Sequence, residues 1–117
     1  MPATKVFVFG SNLAGRHGKG AAKDALLLHG AVYGESFGHF GNSFAIPTRD
    51  RAIRTLPLPT IAGYVSMFLV YATMHEELTF QVTRIGCGLA GYTDLQIAPM
   101  FKHAPPNCEL PKGWRSV

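Results

Sequence analysis

The stretch VFVFGSNLAGRHGKGAA, Val6 to Ala22, leaves few folds open to the rest of the chain. Lys5 to Phe9 is an almost unbroken apolar run, the pattern of a strand buried on both faces of a parallel sheet. Gly10, Gly15, Gly18 and Gly20 then break the run, and Gly20-Ala21-Ala22 opens a helix with almost no side-chain bulk. Strand, glycine loop and helix start in that order aim backbone N–H groups and the positive end of the helix at one point. That geometry suits an anion, most often a phosphate. Arg16, His17, Lys19 and Lys23 crowd the same stretch, and no acid precedes Asp24. A turn that only packs helix on sheet needs one or two glycines. This one has four beside a cluster of cations.

Units of the same kind follow. Ala21 to His29 reads as a helix ending at Gly30, the favoured residue just past a helix end. Ala31 to Asn42 alternates Gly34, Gly38 and Gly41 with Tyr33, Phe37 and Phe40, and reads as a short edge strand or an ordered loop, a flap over a ligand or a plain connection. Ser43 to Pro47 is a second strand, stopped by its proline. Thr48 to Leu58 is polar and then proline-punctuated, with Arg49, Arg51 and Arg54. Thr55 to Met74 carries no charge and is long enough to span a bilayer. Pro57 and Pro59 break it, however, and leave Ile61 to Met74, which is too short. Ile61, Tyr64, Val65, Phe68, Leu69 and Ala72 form a helical stripe, so a buried helix starting near Pro59 is predicted.

Leu78 to Ile85 reads as a third strand. Its alternation of Leu78, Phe80 and Val82 with Thr79, Gln81 and Thr83 predicts one face partly exposed or lining a polar site. A second glycine loop, Gly86 to Tyr92, leads to a short helix with Asp94 as its N-cap. From Ala104 the chain has Pro105, Pro106 and Pro111 and no periodicity, and is expected to lie across the surface, pinned by Trp114. The expected organisation is one domain over 1–117, with its core at about 4–103 and a tail at 104–117.

Strand–loop–helix units in this order imply a three-layer α/β fold with a mainly parallel or mixed sheet. Both glycine loops follow strands and so share the carboxyl edge, where open α/β sheets bind ligands. A net charge of +4 suits an anionic ligand. A nucleic-acid binder clusters its basic residues on one face or helix; here they are scattered among loops, so that role ranks low. Cys87 and Cys108 cannot make a disulfide framework. No charged-then-apolar leader follows Met1, so a cytoplasmic compartment without a membrane partner is expected. Gly86-x-Gly88-x-x-Gly91 matches the dinucleotide fingerprint in letters, but the βα unit that should follow it is missing. A Walker loop fails because Leu13 and Gly20 stand where glycine and Ser/Thr belong. His17, His29, His39, His75 and His103 lack metal-ligand spacing, so neither a cofactor nor a metal is predicted. His17 reads as a base or a solvated loop residue, Cys87 as a small residue fitting a tight loop or a nucleophile, and Tyr92 as a stacking ring or as packing.

These residues carry a recognisable pattern. SFAIPTRD (Ser43 to Asp50), the helix after it and FQVTRIGCGLAGY (Phe80 to Tyr92) resemble the second half of a macrodomain. The likeness is to the branch holding the lysine-dependent terminal ADP-ribose glycohydrolase and the antitoxin of the DNA-ADP-ribosylating toxin pair. There a strand ends in Pro-Thr-Lys, and a later one runs into Gly-Cys-Gly and a phosphate-cradling turn. GSNLAGRHGKGAA is similar to the macrodomain first loop. Over nearly its full length the chain also resembles small macrodomain-like proteins of phages and prophages. The match spans roughly Val6 to Phe101.

The resemblance implies Gly10, Ser11 and Asn12 along the distal ribose, and Gly18, Lys19, Gly20 and Ala21 as a wall toward the pyrophosphate. It implies Gly86, Cys87, Gly88, Leu89, Ala90 and Gly91 as the diphosphate cradle, with Tyr92 beside it. Arg49 stands at the branch's catalytic lysine position, and Ala90 where it places an aspartate. The aspartate of the adenine side has no counterpart. An arginine cannot supply the neutral amine that a lysine nucleophile needs. The implied activity is therefore binding of ADP-ribose, a related NAD-derived nucleotide or an ADP-ribosylated target in a bacterial or phage-infected cytoplasm. A hydrolase of ADP-ribosyl or phosphoester bonds and a non-catalytic phage-type interaction module are the alternatives.

Overall fold

The apolar run at the head of the chain forms the central strand of a sheet. A computed structural model describes residues 5–116; the reading of Met1 and the residues after it as lacking a leader lies outside them. The elements are β1 (Lys5–Asn12), α1 (Gly20–Leu28), β2 (Gly38–Phe40), β3 (Ser43–Arg49), α2 (Leu58–Met74), β4 (Thr79–Val82), α3 (Asp94–Ile97) and β5 (Cys108–Glu109). Single 3₁₀ turns at Ala98–Phe101 and Trp114–Ser116 complete the order. The sheet runs β2-β3-β1-β4-β5. Only β2 is antiparallel to its neighbour, so the architecture is α/β with a mixed five-stranded sheet.

Alternation along β1 divides the core. Val6 and Val8, with Phe44 and Ile46 of β3, meet Ile61, Val65, Phe68 and Ala72 of α2. Phe9 and Ala45 point the other way, to Ala22 and Ala25 of α1. Alanines on α1 let that helix lie close to the sheet, which fixes where its first turn ends up. The predicted stripe of α2 is the buried one, but its outward side is apolar too: Met67, Val70 and Met74 are exposed. No helix among the described residues is long and apolar enough to cross a membrane.

Three local expectations need correction, and one left open is decided. β3 does not stop at Pro47 but continues to Arg49. The antiparallel pairing of β2 reaches only Ala45, so Pro47 sits where β3 has one open edge, a place that tolerates the missing N–H. The N-cap of α3 is Thr93 rather than Asp94, in a reciprocal capping box with Gln96. As far as it is described, the segment after Ala104 is more than a tail across the surface, and Trp114 anchors it as expected. Cys108 and Trp114 belong to the main core, and Cys108–Glu109 adds a fifth strand beside β4. Of the readings open for 31–42, the edge strand holds as β2, and among the described residues the segment lines neither cavity, so it is a connection and not a flap. It braces the first loop instead: Gly34 N–H donates to the Gly15 carbonyl at 2.8 Å. A Cβ on Gly15 would fall 2.2 Å from the Gly34 carbonyl carbon, so that crossing requires glycine.

Candidate functional site

The carboxyl ends of β1, β3 and β4 open into a cavity of about 590 Å³, a size common for small-molecule sites. β1 contributes Gly10, Ser11 and Asn12; β3 contributes Thr48 and Arg49; Thr83 to Gly86 follow β4. The first glycine loop adds Arg16, Gly18 and Lys19, and the first turn of α1 adds Gly20, Ala21 and Ala22. Gly88, Leu89 and Ala90 come from the second loop, and Ile53 from the turn after β3. The two glycine loops thus meet at one crevice.

Of the residues singled out in the sequence, Cys87, Gly91 and Tyr92 do not line this cavity. Tyr92 packs against the main core and donates its hydroxyl to the Leu56 carbonyl at 2.7 Å, so its ring supports the loop from beneath. Cys87 also packs on the core. Burial above all, then the nearby Asp94 carboxylate, pushes its thiol up to about 11. A raised thiol pKa leaves little thiolate at neutral pH, which suits the packing role better than the nucleophilic one.

Side chains on β1 shape the site rather than reach into it. Asn12 accepts at Oδ1 from the Arg16 N–H (3.0 Å) and donates from Nδ2 to the Arg16 carbonyl (2.9 Å), closing the first loop on itself. Ser11 donates its hydroxyl to the Ser36 carbonyl. Both residues therefore face the cavity with their amide side chain or hydroxyl already engaged. Thr48 and Thr83 donate to the Ser11 and Val8 carbonyls, tying the flanking segments to β1. In the second loop Gly86 has φ +74°, and a Cβ there would meet Ile97 Cδ1 at 2.9 Å. Thr55 holds the loop's far end, donating to the Ala90 carbonyl at 2.7 Å. Gly18 and Gly88, by contrast, have open space where a Cβ would stand and no left-handed φ.

The electrostatics are one-sided. Arg16, Lys19, Arg49 and Arg84 line the cavity, and among the described residues no acidic one does. Arg84 is held by two bonds to Asp94, at 2.9 and 2.8 Å. That guanidinium, followed by the Trp114 indole N–H, keeps the Asp94 carboxyl below its usual range. Arg16, Lys19 and Arg49 make no ion pair among the described residues. Lys19, the N-cap of α1, gives no side-chain bond, and the first turn carries no acid. The first-turn N–H groups, unpaired within any helix, are left to the cavity with the positive end of the dipole. Arg16 was visible in the sequence as part of a cation cluster, whereas Arg84 was not singled out, because it stood inside a stretch read only as the end of the third strand. Ile53 gave no signal, because its place depends on a tight turn.

His17 fits neither sequence reading. It is 2% exposed, between the rings of Phe9 and Tyr33, and neither ring nitrogen has a hydrogen-bond partner. Burial lowers its pKa from the ordinary 6.5; the Gly15 backbone opposes the shift but makes no bond of hydrogen-bond geometry. A histidine held neutral by folding binds fewer protons folded than unfolded. Its contribution is therefore complete above pH 6.5 and is lost as pH falls below that value. Wild type should lose melting temperature between about pH 7.5 and 5.5, and His17→Phe should lose less over the same interval. Parallel melting curves for the two proteins would contradict this.

Among the described residues no three His, Cys, Asp or Glu side chains gather as a metal site. Comparison with family models, curated proteins and solved structures finds no match.

Proposed function

We propose that the chain is a macrodomain-like protein, its sheet layered between α1 and α2, that binds ADP-ribose or a related NAD-derived nucleotide at the carboxyl edge. The observation that supports this best is the cavity itself, into which an uncapped helix start opens among four cations and, of the described residues, no acid. A diphosphate between the two glycine loops would accept from the first-turn amides of α1 and from Arg49. No histidine or carboxylate lines the cavity among the described residues. This favours binding over general acid–base hydrolysis. Arg49, half-buried at the end of β3, takes the lysine position of the resembling glycohydrolases and grips rather than attacks.

Titration calorimetry with ADP-ribose tests this reading. Arg49→Ala should weaken binding roughly 10- to 100-fold, the loss expected for one charge-assisted hydrogen bond, with unchanged circular dichroism. Unaltered affinity would remove Arg49 from the site.

A further inference from the structure

Ile53 has a backbone φ of +65°, and it is the only non-glycine residue among those described with a positive φ. A β-branched residue in the left-handed region is a steric outlier, where glycine or asparagine would sit with little strain. The surrounding turn imposes it. Asp50 Oδ1 accepts from the Ala52 and Arg54 N–H groups at 2.8 and 2.9 Å. Ile53 N–H donates to the Asp50 carbonyl at 3.0 Å, and Asp50 N–H to the Arg54 carbonyl at 2.7 Å. Beyond the turn, Thr55 pairs with Arg49 and ties down Ala90 of the second loop.

Core packing does not offset this strain. The Ile53 side chain belongs to neither hydrophobic cluster and is only half-buried, yet it lines the ligand cavity. Leu89, 60% exposed, lines the same cavity from the second loop and lies near the start of α1, 3.8 Å from where a Gly20 Cβ would be. Strained residues persist where a site requires their geometry, and a half-buried isoleucine and an exposed leucine on the wall of one cavity of cations offer a ligand an apolar surface.

We infer that Ile53, with Leu89, is the apolar half of this site and packs against the uncharged ring of a nucleoside while the cations hold its diphosphate. The inference rests on the proposed nucleotide binding and deepens it: Ile53 and Leu89 are what makes the site select a nucleoside diphosphate ester over a bare diphosphate. Ile53 is a specificity-determining residue, and its strain is the cost of presenting an isoleucine where the turn favours glycine.

The test compares wild type, Ile53→Asn and Ile53→Gly, each titrated with ADP-ribose and with inorganic pyrophosphate, and melted without ligand. Wild type should prefer ADP-ribose. Both variants should lose about tenfold in ADP-ribose affinity and keep pyrophosphate affinity within about twofold, and Ile53→Asn should melt higher than wild type. Equal losses for both ligands, unchanged ADP-ribose affinity, a lower melting temperature in Ile53→Asn, or a wild type without preference would each overturn the inference while leaving the anion site standing. A wild type that binds neither ligand would show that the anion site itself is wrong, and the inference would fall with it.

Discussion

Phe68→Ala should destabilise the fold by about 3–5 kcal/mol and lower the melting temperature by roughly 10–25 °C. Phe68 is fully buried at the middle of α2. Its ring meets Phe44 of β3 edge-on at 4.9 Å and Phe80 of β4 at 5.3 Å, and Phe101 of the 3₁₀ turn lies 6.5 Å away. Three separate segments therefore converge on one side chain. The sheet contributes two of them, so the space left by truncation cannot close without moving strands that also carry the site. Edge-to-face ring pairs add to the loss beyond the area they bury. A melting temperature within about 2 °C of wild type would mean that α2 is peripheral and the division of the core is wrong.

Gly88→Val should abolish ADP-ribose binding and leave the fold intact. Gly88 lines the cavity, its backbone lies outside the left-handed region, and nothing stands within 4 Å of a Cβ placed on it. The protein can therefore accept the new side chain without strain, and its two branches would occupy the space proposed for the diphosphate. Exposed substitutions of this kind usually change stability by less than about 0.5 kcal/mol, so circular dichroism and melting should match wild type. Gly86 would be a poor choice for the same experiment. Its φ of +74° and the 2.9 Å approach to Ile97 mean that any side chain deforms the loop before a ligand is considered. Undiminished binding in a folded Gly88→Val protein would contradict the site assignment.

Much of the site was legible because its signals are local. Glycines after an apolar run mark a strand-to-helix loop, and two such loops after parallel strands must share the carboxyl edge; Gly10, Gly18, Gly20, Gly86 and Gly88 line one cavity accordingly. The stripe on α2 was legible because burial imposes a 3.6-residue period. What escaped depends on tertiary contacts. Cys108–Glu109 is too short for any period, and pairs only because β4 offers an edge. Trp114 was legible as an anchor, but not its place in the main core, which depends on packing against Phe101 and on Asp94, which accepts from its indole N–H at 3.0 Å. His17 looked like a loop residue among cations, but the 31–42 segment folds against the first loop and brings Tyr33 to its ring. The strain at Ile53 comes from the Asp50 turn, which letters alone do not specify.

Whether the two glycine loops hold an ADP-ribose-like anion is read from amide chemical shifts during an ADP-ribose titration of the ¹⁵N-labelled protein. Saturable shifts should concentrate on Gly18, Gly20, Ala21, Gly86 and Gly88, loop and helix-start positions that line the cavity. Amides that do not move, or shifts confined to a distant surface such as the second, smaller cavity at Thr73, Glu76 and Asn107, would contradict that placement.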